Sequence, residues 1–179
     1  MAGWNLKNGT ITDFNPNEQK IWSLFNYVFS DSCSKRNTYK FGFIKSLLDN
    51  TFNVQEVSEG CFLTYSQIFS KFTENYWNLV VKYNLRQMRA DKNNSISKIE
   101  QILQEVIKNE YVLISLDFDA LNETTRSDLI KKVISECKKY VIGALYSDFE
   151  GVIYSFDLKS NGIILNNRSV ILCLSINLS

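Results

Sequence analysis

The sequence predicts a mainly helical α+β fold, with about five amphipathic helices followed by a small antiparallel β-meander. Three observations carry that expectation. The 179 residues suit a single domain with a substantial core. Apolar residues recur at helical spacing through much of residues 15 to 140. From residue 141 the pattern changes to short apolar and aromatic runs, broken by "DFEG" and "KSNG", each ending in the glycine that a tight turn requires. One domain over 1–179 is therefore expected, helical over about 15–140 and β over about 141–179.

The first helix starts in "NPNEQKIWSLFNYVF", where Asn15 reads as N-cap, Pro16 as the first helical residue and Glu18 as N3. Its apolar face is Ile21, Trp22, Phe25, Val28 and Phe29. The second helix, about 37 to 51, turns Phe41, Ile44, Leu47 and Leu48 inward, and a loop with Gly60 follows. In the third, Thr64 and Gln67 form a capping box ahead of Tyr65, Ile68, Phe69, Phe72, Tyr76, Leu79, Val80 and Tyr83. An aromatic stripe of this kind could stack bases, but its spacing is that of core packing. After the polar break "ADKNNS", a fourth helix faces Ile99, Ile102, Leu103, Val106 and Ile107 inward. "YVLISLDFDALNETT" begins like a buried strand and ends in turn formers; a fifth helix, about 125 to 140, carries Leu129, Ile130, Val133, Ile134, Cys137 and Tyr140. The tail "RSVILCLSINLS" is apolar and partly β-branched enough to add a last strand.

Composition excludes several chemistries. The chain has no histidine, which removes Ser-His-Asp and Cys-His triads, histidine general bases and histidine-ligated metals. Cys33, Cys61, Cys137 and Cys173 are widely separated and form no CxxC pair, so buried thiols are expected rather than a zinc ribbon or disulfide scaffold. The longest apolar runs, such as "VILCL", fall far short of the roughly 20 residues of a spanning helix. "MAGWNLKNGTITDF" does not read as a secretory signal. The expected location is the cytoplasm, without membrane contact. A net charge of +1 confines any nucleic-acid site to a local patch.

Three groupings could carry chemistry. Asp117 and Asp119 in "ISLDFDA" would point to one face of a strand and could hold Mg²⁺ together, or be two solvated carboxylates. "SDFEGVIYSFDLK" sets Asp148 ahead of Asp157 and Lys159 in a D/E-x-K arrangement like the PD-(D/E)xK nuclease core, where carboxylates bind Mg²⁺ and a lysine positions water. The simpler reading is a hairpin turn. The third grouping is basic. Lys82, Arg86 and Arg89 share a face if the third helix runs past Tyr83, with Lys92 beyond, and Lys35, Arg36 and Lys40 lie in a stretch without acids between Asp31 and Asp49. These two clusters could contact the phosphates of duplex DNA.

Taken together, "KRNTYKFGFIKSLLDN", "LTYSQIFSKFTENYWNLVVKYNLRQ" and "YVIGALYSDFEGVIYSFDLKSNGIILN" resemble the N-terminal helical region of bacterial HNH-endonuclease-containing proteins. That resemblance covers roughly residues 20 to 166 and implies a non-catalytic DNA-binding or partner-binding accessory module of a restriction or phage-defence system. Its implied partners are duplex DNA, a nuclease subunit or a second copy. HNH chemistry needs histidines, so no catalytic residue is carried over and the chain alone is expected to be non-catalytic, without a cofactor. Two alternatives remain: a Mg²⁺-dependent PD-(D/E)xK-like nuclease using Asp148, Asp157 and Lys159, and an interaction or inhibitor protein with no nucleic-acid role.

Overall fold

The computed structural model describes residues 5–34, 37–88, 95–109 and 116–170. Its elements, in chain order, are β1 (Asn8–Gly9), α1 (Glu18–Phe29), α2 (Tyr39–Asp49), β2 (Gln55–Val57), β3 (Gly60–Thr64) and α3 (Tyr65–Trp77). A π-helical turn, Asn78–Lys82, extends α3; then come α4 (Lys98–Asn109), a 3₁₀ turn (Phe118–Ala120), α5 (Glu123–Tyr140), α6 (Ile142–Asp148), β4 (Tyr154–Asp157) and β5 (Gly162–Leu165). The fold is mainly helical α+β.

Its sheet draws on more of the chain than the C-terminal meander anticipated from the sequence. All pairings are antiparallel, in the order β1-β4-β5-β3-β2. β4 and β5 form the expected hairpin, with Phe156 opposite Ile163. Leu63 of β3 faces Ile163 from the other side, and Asn8 at the start of the chain pairs with Asp157. The β part therefore does not begin at residue 141: residues 142–148 are helical, and three of the five strands come from residues before 65. A run as short as "IGALYSD" fits a buried strand or a buried helical turn equally well, and burial of Ile142, Gly143 and Leu145 on one side settles it as helix. The tail starts as a helical turn over residues 167–170 rather than a strand, and residues 171–179 lie outside the described part.

Local signals set the helix starts. Asn17, not Asn15, caps α1: its Oδ1 accepts a hydrogen bond from Lys20 N at 2.8 Å, leaving Pro16 ahead of the cap. The capping box of α3 forms as its sequence predicts, with Thr64 Oγ1 accepting from Gln67 N at 3.1 Å and Gln67 Oε1 accepting from Thr64 N at 2.9 Å.

The core is built around α3. Tyr65, Ile68, Phe69, Phe72, Tyr76 and Trp77 are buried, so the aromatic stripe packs over α3, but its expected continuation fails at Leu79 and Tyr83, which are exposed beyond the helix end. The Phe43 ring of α2 lies 5.7 Å from Phe69 and 6.1 Å from Tyr154 of β4, joining helices to sheet. Trp77 Nε1 donates to Leu116 O at 2.8 Å, and Tyr154 Oη to Ile142 O at 2.6 Å, so both buried polar tips are satisfied.

Candidate functional site

The basic clusters come first. Lys40 sits in the first turn of α2, and its Nζ lies 2.7 Å from Asp148 Oδ2, 2.9 Å from Ser34 O and 3.4 Å from Cys33 Sγ. Burial alone would lower its pKa, but the Asp148 carboxylate, with Cys33 adding to it, outweighs that effect and the pKa is raised. Lys82 pairs with Asp117 at 2.9 Å, which also raises its pKa. Arg86 donates to Ser95 O at 2.6 Å and lies 3.8 Å from Glu100 Oε1. Lys35, Arg36, Arg89 and Lys92 lie outside the described residues.

The shared helical face expected for Lys82, Arg86 and Arg89 is broken between Lys82 and Arg86. α3 widens into a π-turn at Asn78, ends at Lys82, and is followed by Asn84 in the left-handed region (φ 51°), so Arg86 stands on a loop. Regular i, i+4 spacing is lost once the turn takes an extra residue.

The carboxylate groupings also come apart. Asp117 caps a 3₁₀ turn and Asp119 lies within it, not on a strand, and they face different cations: Asp117 pairs with Lys82 and Asp119 with Arg126 at 3.4 Å. Asp148 ends α6 and points to Lys40, whereas Asp157 ends β4 and its Oδ1 accepts from Lys159 N at 2.8 Å. That last bond is an Asx turn, the conformation in which aspartate stabilises its own loop. Among the described residues no group of three or more acidic or cysteine side chains is arranged to hold a metal. Cys33, Cys61 and Cys137 are buried thiols without disulfides, and burial pushes the Cys61 and Cys137 thiols up.

A different surface emerges on α1. Ile21, Leu24 and Val28 are buried, at the i, i+3, i+7 spacing of one stripe. Trp22, Phe25 and Phe29 form a second stripe one position round the helix. Only Phe25 leans inward, its ring 5.0 Å from that of Phe149 at the end of α6. Trp22 is 42% exposed and Phe29 56% exposed, with the Phe29 ring stacked on Phe41 of α2 at 5.3 Å. The residues between them on the outer side, Ser23 and Asn26, are exposed and uncharged. The apolar arc of α1 is thus wider than the fold covers. The sequence shows the arc but not its partial coverage, because all six residues share helical spacing.

Comparison with family models, curated proteins and solved structures gives no match to this chain.

Proposed function

We propose that this chain is a non-catalytic binding module that engages a protein partner through the aromatic face of α1. The observation that carries the reading is the pair Trp22 and Phe29, two large rings held in solvent on one helix face beside Phe41. Tryptophan and phenylalanine are enriched at the centres of interfaces, which favours an apolar protein surface over phosphate as the partner of these rings. Phosphate contact draws less support, since Lys40, Lys82 and Arg86 each have a carboxylate close by.

In purified protein the first partner for this face is a second copy, packed α1 against α1 about a two-fold axis. The resemblance to HNH-associated helical regions adds a nuclease subunit as the partner in its own system. A single helix face is smaller than the roughly 800 Å² per partner of a stable interface, so self-association is expected to be weak.

Sedimentation equilibrium over a wide concentration range tests this. Wild type should show concentration-dependent dimerisation, and the double variant Trp22→Ser, Phe29→Ser should remain monomeric with an unchanged circular dichroism spectrum. A strictly monomeric wild type that binds duplex DNA, with affinity falling steeply as salt rises, would replace this reading with the nucleic-acid one. Metal-dependent cleavage lost in Asp157→Ala and Lys159→Ala would replace both with the nuclease alternative.

A further inference from the structure

Away from α1, the π-helical turn, the loop after it and α4 line a half-open pocket of about 160 Å³. Val80, Val81, Leu85 and Ile107 form its apolar wall, and Arg86 and Glu100 its polar end. A cavity of about 150 Å³ is enough to take up a benzene ring. The widened turn and left-handed Asn84 shape one side, and the Glu100, Gln104, Ile107 face of α4 shapes the other.

Glu100 is the unusual member. It is 4% exposed, and its Oε2 has no hydrogen-bond partner among the described residues. Ser97 caps α4, with its Oγ accepting from Glu100 N at 3.1 Å and donating to Gln87 Oε1. A glutamate three residues after a capping serine ordinarily returns its carboxylate to the cap. Here Oε2 takes no such bond, and the neighbouring Gln87 Nε2 is likewise buried without a partner among the described residues. A buried carboxylate oxygen lacking a donor is costly, and a donor delivered through the pocket would relieve that cost after a rotation about the last side-chain bond. The Arg86 guanidinium beside Oε1 already balances the charge, so the complementary group is a neutral N–H rather than a second cation.

We propose that this pocket binds a small neutral single-ring molecule bearing an N–H donor, its ring against Val80, Val81, Leu85 and Ile107 and its N–H on Glu100. This site is independent of the α1 face. Saturation-transfer NMR with aniline, toluene and benzylamine as probes of the full chain at neutral pH tests it. Aniline should bind, with toluene and the cationic benzylamine about tenfold weaker or more, as expected for loss of a hydrogen bond to a charged acceptor. Glu100→Gln should weaken aniline binding by a similar factor. Ile107→Phe, which fills the apolar wall without touching the carboxylate, should abolish it while thermal unfolding shows a folded protein. No transfer to aniline in wild type, equal binding of aniline and toluene, or undiminished binding in a folded Glu100→Gln variant would overturn the proposal.

Discussion

The Lys40 ammonium lies 2.7 Å from the Asp148 carboxylate, tying the first turn of α2 to the last residue of α6. Both side chains are largely buried, at 17% and 16% exposure. Removing one member leaves the other charge poorly solvated. Loss of one partner costs about 3–5 kcal/mol for a fully buried pair, and the residual exposure here brings the expected cost to about 2 kcal/mol. Urea unfolding of Lys40→Met and Asp148→Leu should each show that loss, and the double variant should recover most of it because no lone charge remains.

The same pair sets a pH dependence. The folded pKa of Lys40 is raised above the unfolded value of 10.5, so its contribution is complete below that pH and is lost as pH rises through the folded pKa. Stability differences between wild type and the double variant should therefore be flat near neutrality and shrink only at strongly alkaline pH. A difference that changes between pH about 5 and 8 would contradict this linkage, since Lys40 holds its proton throughout that range.

Close approach of α2 to α3 rests on Gly42. A Cβ there would stand 2.4 Å from Cε2 of Tyr76, whose Oη is also fixed by Thr38 Oγ1 at 2.9 Å. Alanine in a helix interior normally gains about 1 kcal/mol over glycine. Here the buried tyrosine cannot withdraw, and overpacking of about 1–3 kcal/mol should win. Gly42→Ala is expected to lower the thermal midpoint, and Tyr76→Phe in that background should restore part of it, because it removes the hydroxyl 2.7 Å from the new Cβ and releases the ring from Thr38.

The legible parts of this fold were those with both a period and a start signal. α3 shows its capping box and stripe, and the β4–β5 hairpin is where "KSNG" placed it, although Gly162 lies in β5 rather than in the turn and is needed there because a Cβ would stand 2.3 Å from Leu63 O. What the sequence hides is anything decided by distant partners. β1 is two residues long and exists because Asn8 and Gly9 meet Asp157 and Phe156. Lys40 and Asp148 are each readable as members of a separate functional cluster, and only their meeting shows that they neutralise one another. Trp22 and Phe29 share the spacing of Ile21 and Val28, so the exposed half of the face was indistinguishable from the buried half. The Ser97-x-x-Glu100 spacing signals a helix start but not the pocket that its glutamate lines.

The capping box offers a local test of how much α3 depends on its start. Thr64 and Gln67 satisfy one another's backbone N–H groups at the junction with β3. Thr64→Ala should cost about 1 kcal/mol in denaturant unfolding, with a conservative Thr64→Ser change costing much less. Gln67→Ala should add little on top of Thr64→Ala, because the two act as one unit and their effects are not additive.

Alkaline stability should be limited by buried tyrosines as well as by Lys40. Burial, with smaller opposing hydrogen bonds, pushes Tyr65 up to about 12, and burial also raises Tyr39, Tyr76 and Tyr154 above the usual 10.0. Each of these groups holds its proton longer in the folded than in the unfolded chain. Between the two pKa values the folded state binds more protons, so stability falls as pH rises, starting near pH 10. A tyrosinate absorbance titration should accordingly show two phases. In the second, the buried set ionises together with unfolding, seen as loss of circular dichroism. Tyr65→Phe should move the second phase to higher pH, because it removes one group whose ionisation favours the unfolded chain, although its Oη also loses a 3.1 Å bond to Asp157 O. A single reversible phase covering all tyrosines, with the fold intact beyond pH 12, would show that these rings reach water and that the α3 core is looser than its packing implies.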